Sequence, residues 1–145
     1  MVLIDYILKK KEDIKELKVF ERDIDFPKTT SVAISVIGPR RAGKTFSLYN
    51  FIKKEGIKDE DFVFINFEDD EIRHLKFEEK RKIIEAHLEI YKKFPKFVFL
   101  DEIQNLEYWQ SFVYSLVEKK RYYIFITGSS SKLLSREIST QLRGR

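Results

Sequence analysis

No cysteine occurs among the 145 residues, so disulfides, thiolate nucleophiles and thiolate-held metals are excluded together. Histidine is almost as scarce. Only His74 and His87 are present, in charged, helix-like surroundings, and both read as surface or partly packed side chains rather than ligands. Long apolar runs are missing as well, since no stretch approaches the roughly 18 residues that a membrane-spanning helix needs. The opening Met1-Val2-Leu3-Ile4-Asp5-Tyr6-Ile7-Leu8 has an acid inside its apolar run and basic residues after it, which argues against a secretory signal. No internal repeat, low-complexity tract or second-domain linker is found. A soluble, cytoplasmic protein without a membrane partner is expected.

Charge of one sign is also lacking: 28 basic residues face 24 acidic ones, for a formal net charge of +4. Such a mixture reads as a solvated Lys/Glu surface more readily than as a nucleic-acid patch. What the chain does have is apolar and aromatic material, with 43% hydrophobic residues, 13 Phe and 7 Tyr. That content argues against disorder, and the length suits a domain with a sizeable core.

Strand-like and helix-like segments alternate, which predicts an α/β fold with a mostly parallel sheet covered on both faces. A charged helical lead-in covers about 5–17, with Ile7, Leu8, Ile14 and Leu17 as one possible apolar stripe, and a polar connection containing Pro27 follows. Residues 1–30 are thus expected to be a lead-in and linker, and 31–145 the core. Four strands are expected, at 31–37, 62–67, 97–100 and 123–127. Helices are expected over 45–54, over 77–93 with Ile84, Leu88 and Tyr91 sharing a face, and after Trp109. Trp109, Phe112, Val113, Leu116 and Val117 form an i, i+3, i+4, i+7, i+8 stripe, so Trp109 reads as core. A last helical piece would carry Leu133, Leu134, Ile138 and Leu142.

Between the first strand and its helix lies Gly38-Pro39-Arg40-Arg41-Ala42-Gly43-Lys44-Thr45, followed by Phe46. The Gly-x4-Gly-Lys-Thr spacing is that of a phosphate-binding P-loop. Gly38 and Gly43 permit torsions and close approach that a Cβ would obstruct. Successive N–H groups then make an anion cradle at the positive end of the helix. Lys44 would neutralise β- and γ-phosphate charge, and the Thr45 hydroxyl would ligate Mg²⁺. An ordinary strand-to-helix turn with a solvated Lys44 is the alternative, disfavoured because an apolar strand precedes the loop and a helix follows it.

The third strand runs into Asp101-Glu102, 57 residues after Lys44. Asp101 would hold the Mg²⁺ shell, and Glu102 would polarise a water for attack on the γ-phosphate. Alone, such a pair is usually a solvated helix cap; beside a P-loop it falls at the strand ends where open α/β sheets bind ligands. The fourth strand ends in Thr127-Gly128-Ser129. A polar group there would touch the attacking water or the γ-phosphate, unless the serines simply cap a helix.

Together these motifs resemble the additional-strand class of P-loop ATPases that includes the AAA+ proteins. Gly-Pro-Arg-Arg-Ala-Gly-Lys-Thr, Leu100-Asp101-Glu102-Ile103-Gln104 with Trp109 after it, Thr127-Gly128-Ser129-Ser130 with Leu133-Leu134-Ser135, and Leu142-Arg143-Gly144-Arg145 are similar to a prokaryotic AAA+ family common in archaea. The resemblance covers residues 31–145. It implies a three-layer α/β/α fold with strand order 5-1-4-3-2 and ATP at the carboxyl ends of strands 1 and 3. Lys44 and Thr45 carry over as the Walker A pair, Asp101 and Glu102 as the Walker B pair, and Ser129 as sensor. Arg143 and Arg145 lie where such proteins place an arginine finger, or are a basic chain end. The sequence stops where the family continues into a fifth strand and helical lid, which is expected to leave the first strand at a sheet edge and to weaken turnover.

The function expected is ATP binding and hydrolysis with Mg²⁺, coupled to a partner domain, with ADP as product and a homo-oligomer or partner subunit involved. The alternatives are a non-catalytic nucleotide-binding or interaction module and a component of a DNA-associated system. A small-molecule kinase fits less well, because Glu102 points to water activation.

Overall fold

The computed structural model describes residues 2–18, 25–37 and 43–128. Its elements run in chain order as α1 (Val2–Glu16), β1 (Ile34–Ile37), α2 (Lys44–Glu55), β2 (Phe62–Asn66), the short helices α3 (Asp70–Arg73) and α4 (Phe77–Lys80), α5 (Ile83–Tyr91), β3 (Phe97–Asp101), α6 (Trp109–Glu118) and β4 (Tyr123–Gly128). The strands form one sheet in the order β1-β4-β3-β2, with every pair parallel. This is the α/β fold expected, with the four strands in the expected relative order.

The strand sequences explain how the sheet is filled. Phe62-Val63-Phe64-Ile65-Asn66, Phe97-Val98-Phe99-Leu100-Asp101 and Tyr123-Ile124-Phe125-Ile126-Thr127 each alternate aromatic and aliphatic residues. Successive side chains in a strand point to opposite faces, so one face is aromatic and the other aliphatic. The register aligns the rows: Phe62 with Phe97 and Tyr123, then Phe64 with Phe99 and Phe125. Phe99 stacks between Phe64 (5.9 Å) and Phe125 (5.3 Å).

Helix α2 covers the aromatic face with Leu48, Phe51 and Ile52. Phe51 sits 5.4 Å from Phe125 and 6.3 Å from Phe99, tilted or edge-on as ring quadrupoles favour. The helix stops at Gly56, whose left-handed φ of 64° lets Ile57 N–H return to the Ile52 carbonyl. On the other face Val63, Ile65, Val98, Leu100, Ile124 and Ile126 meet α5 and α6. Two separate cores on two faces make the layers α/β/α.

Two sequence readings need correction. The helix expected over 77–93 is broken: α4 ends at Lys80 and α5 begins at Ile83. Restarting there shifts the helical phase, so Ile83, Ala86 and His87 are buried while Ile84, Leu88 and Tyr91 are only half-buried. His87 is therefore fully buried, not at the surface; it donates Nε2–H to the Glu60 carbonyl at 3.0 Å. That bond selects the Nε2–H tautomer. Burial, and secondarily the nearby Lys11, push its pKa down to about 4. His74 is exposed.

The lead-in helix α1 begins three residues earlier than expected and lies along the outer edge of β2. Its buried residues are Leu3, Tyr6, Ile7, Lys11 and Ile14; Leu8 is exposed, off the stripe that the sequence suggested. The Tyr6 hydroxyl accepts the Asn66 N–H at 2.9 Å and donates to Asp69 Oδ2 at 2.7 Å. Lys10 completes that corner with a 2.9 Å ion pair to Asp69. At the other end of β2, the Lys11 ammonium reaches the Asp59 carbonyl (2.7 Å) and Tyr91 Oη (3.1 Å) and lies over the Phe62 ring. An exposed edge invites pairing with other chains, and α1 blunts this one. Among the described residues β1 pairs on one side only, with β4.

Candidate active site

Beyond the two aromatic rows the sheet carries one more row on the same face. Asn66 pairs with Asp101, and one step past Leu100–Ile126 lie Asp101 and Thr127; Val36 pairs with Thr127 from the far side. The period-2 alternation that faces Phe64, Phe99 and Phe125 toward α2 therefore faces Asn66, Asp101 and Thr127 toward its N-terminus. The alternation thus turns from apolar to polar at one end of the sheet, beneath the first turn of the helix.

That first turn brings two side chains onto the row. The Thr45 hydroxyl donates to Asp101 Oδ2 at 2.8 Å, and Lys44 Nζ donates to the Gly128 carbonyl at 3.0 Å. Lys44 is buried, at 6% exposure. Gly43 precedes the helix with φ 81°, a left-handed torsion that a Cβ disfavours, and its carbonyl accepts both the N–H (2.9 Å) and the hydroxyl (3.0 Å) of Ser47. Phe46, 48% exposed, turns away from the row and meets Tyr49 edge-on.

Asp101 has no exposed surface. Its Oδ1 accepts the Thr127 hydroxyl, while Oδ2 takes Thr45. Burial raises its pKa to about 6, against the lowering effect of both hydroxyls and with a smaller upward push from Glu102. Glu102 departs from the strand with φ 52° and ψ 51°. For a non-glycine residue this left-handed conformation costs about 1–2 kcal/mol, and the local bonds offset it. Its N–H donates to Thr127 Oγ1 (2.9 Å), its carbonyl accepts Asn105 N–H (3.2 Å), and its Oε1 accepts Gln104 Nε2 (2.9 Å).

The structure thus brings Gly43, Lys44, Thr45, Asp101 and Glu102 together at the carboxyl ends of β3 and β4. Gly38, Pro39, Arg40, Arg41, Ala42, Ser129, Arg143 and Arg145, along with the final helical piece, lie outside the described residues. Among the described residues no cluster of three or more His, Cys, Asp or Glu stands ready to hold a metal alone. One hydroxyl and one carboxylate suit Mg²⁺, which takes few protein ligands and completes its shell with phosphate and water. The donor set fits a magnesium nucleotide.

Comparison with known proteins identifies the family. A family model described as an AAA domain matches residues 30–145. The chain belongs to the AAA domain family. An uncharacterized protein of the archaeon Methanocaldococcus jannaschii is 43% identical over 141 residues, covering 97% of this chain and 31% of its own length. An uncharacterized protein of Haemophilus influenzae is 35% identical over 129 residues, covering 86% of this chain and 30% of its own length. The chain spans about a third of these relatives. No solved structure matches it. For an AAA domain, nucleotide binding is the general expectation, and among the described residues no helix is long and apolar enough to cross a membrane.

Two residues of this AAA domain escaped the sequence reading. Thr127, given no role of its own within the polar end of the fourth strand, is fully buried against Asp101 and Glu102. Gln104 appeared only as part of a motif, yet it holds the Glu102 carboxylate. The signal for Thr127 was its place in the strand: fifth in Tyr-Ile-Phe-Ile-Thr, as Asp101 is fifth in Phe-Val-Phe-Leu-Asp.

Proposed function

We propose that this AAA domain binds ATP with Mg²⁺ and hydrolyses it to ADP and phosphate, and that its nucleotide cycle drives a partner domain or subunit. The observation that carries the reading is the 2.8 Å approach of the Thr45 hydroxyl to the Asp101 carboxylate, with Lys44 in the same helical turn.

Lys44 lies against the Gly128 carbonyl and would exchange that neutral acceptor for β- and γ-phosphate oxygens, a stronger charge-assisted partner. Thr45 and Asp101 would hold Mg²⁺ between them. The metal, when bound, would supply neutralisation of the negative charge that develops on the phosphates during transfer. The backbone N–H groups at the start of α2 would meet phosphate with the positive end of the helix. Glu102 would accept a proton from the water whose oxygen bonds to the γ-phosphorus as the bond to the β,γ-bridging oxygen breaks. Ser129 would sense the γ-phosphate, and Arg143 or Arg145 would reach a neighbouring subunit's site.

Phosphate release measured beside nucleotide binding tests this. Glu102→Gln should bind Mg–ATP within about threefold of the unaltered chain and lose hydrolysis by about 100-fold or more, in the range expected for a lost general base. Unchanged phosphate release from Glu102→Gln would remove Glu102 from the reaction. ATP binding without phosphate release by the unaltered chain would favour the second reading, a nucleotide-dependent interaction module.

A further inference from the structure

The Thr127 hydroxyl is shared by both members of the acidic pair. It donates to Asp101 Oδ1 and accepts the N–H of Glu102 at 2.9 Å. It has no exposed surface, so neither bond competes with solvent. A hydroxyl can donate once and accept from the opposite side, and here both capacities are used on adjacent residues, the last of β3 and the one after it.

Each bond has a consequence for the site. With Oδ1 committed to Thr127, the Asp101 carboxylate is oriented about its own bond axis so that Oδ2 meets Thr45. Strand alternation would send residue 102 to the aliphatic face, opposite Asp101. The left-handed torsion of Glu102, φ 52°, breaks that alternation, and its N–H is aimed at Thr127 where a further sheet bond would otherwise lie. The neighbouring strand supplies the geometry: Leu100 pairs with Ile126, so the next residue of β4 stands beside Asp101.

We infer that Thr127 is a positioning residue that couples the two acids, setting the Asp101 rotamer for the metal and the Glu102 backbone for the water. Its hydroxyl is spent on Asp101 and Glu102 and has no exposed surface. The inference rests on the magnesium-nucleotide reading of the site, and deepens it by assigning metal dependence to a hydroxyl on β4.

Thr127→Val keeps the shape and removes both bonds, whereas Thr127→Ser keeps them. Titrations with ATP in Mg²⁺ and with ATP in EDTA separate positioning from packing. Thr127→Val should weaken Mg–ATP binding about tenfold or more and leave metal-free ATP binding within about threefold, with Thr127→Ser close to the unaltered chain. Equal loss with and without Mg²⁺, or no loss, would overturn the inference. Should Thr127→Val fail to fold, amide exchange of the unaltered chain decides: the Glu102 N–H should exchange at least about 100-fold more slowly than an exposed amide, and exchange at the exposed rate refutes the bond to Thr127. If the unaltered chain binds no ATP, the reading of the site fails, whereas the exchange rate still reports on Thr127.

Discussion

Two buried groups, His87 in α5 and Asp101 at the end of β3, pull on acid stability in opposite directions. His87 has its pKa lowered to about 4, below the roughly 6.5 of an unfolded histidine. Between those values the unfolded chain binds the extra proton, so His87 adds stability as pH rises from about 4 to about 6.5. Asp101 has its pKa raised from 3.8 to about 6, so the folded chain holds the extra proton and stability falls as pH rises through that window. Each effect is on the order of 3 kcal/mol, and they largely cancel between pH 4 and 6. Urea denaturation across this range should show a shallow slope for the unaltered chain. His87→Gln should lose stability with rising pH and Asp101→Asn should gain it; matching slopes in all three chains would contradict the assignment. If Asp101 holds Mg²⁺ as proposed, the same protonation would compete with metal, and Mg–ATP affinity should weaken below about pH 6, by up to tenfold per pH unit.

Among the elements, α1 shows best how a charged segment becomes structural. Its sequence reads as a solvated lead-in, because Lys9, Lys10, Lys11, Glu12 and Asp13 hide the spacing of Leu3, Tyr6, Ile7 and Ile14. Lys11 falls on that buried stripe and survives there by bonding Asp59 and Tyr91 and covering Phe62. Burial lowers its pKa to about 7. The unfolded chain keeps that proton up to about pH 10.4, so folding should become more favourable from about pH 7 upward. Lys11→Met, similar in bulk and uncharged, should flatten that rise in thermal melts; an unchanged pH profile would show that the amine is solvated. Tyr6→Phe strips Asn66 and Asp69 of a partner and should cost about 1–3 kcal/mol, the penalty for stranded buried groups. Periodicity could reveal α5 and α6 as helices, but not the restart at Ile83 that sets which face of α5 is buried.

For the whole molecule, one rule organises both core and site. Alternation along β2, β3 and β4 places two aromatic residues on the α2 face of each strand and then a polar residue near the carboxyl end, giving Asn66, Asp101 and Thr127. The α/β class and the strand positions were legible, because they depend on residue type and short spacing; the same signals gave the proposed phosphate loop and acidic pair, of which Gly43, Lys44, Thr45, Asp101 and Glu102 are described and lie together. The role of Thr127 was not, because it depends on register between strands 26 residues apart in sequence. The burial of His87 and Lys11 depended on helix phase and edge packing, which a single sequence does not encode locally. Phe51 joins α2 to the aromatic rows, so Phe51→Ala should destabilise by about 3–5 kcal/mol. Phe46→Ala, on the exposed side of the same helix, should change stability by no more than about 0.5 kcal/mol. Equal losses in urea denaturation would contradict the layer assignment.

The central claim is that the first turn of α2 and the polar row beneath it form a magnesium-nucleotide site. Calorimetric titration of the chain with Mg–ATP tests it most directly, with Lys44→Ala alongside. The account predicts saturable one-to-one binding that Lys44→Ala weakens by at least about 100-fold, as expected for losing a charge-assisted phosphate contact in a buried site. Absence of binding to the unaltered chain, or equal binding by Lys44→Ala, would contradict it.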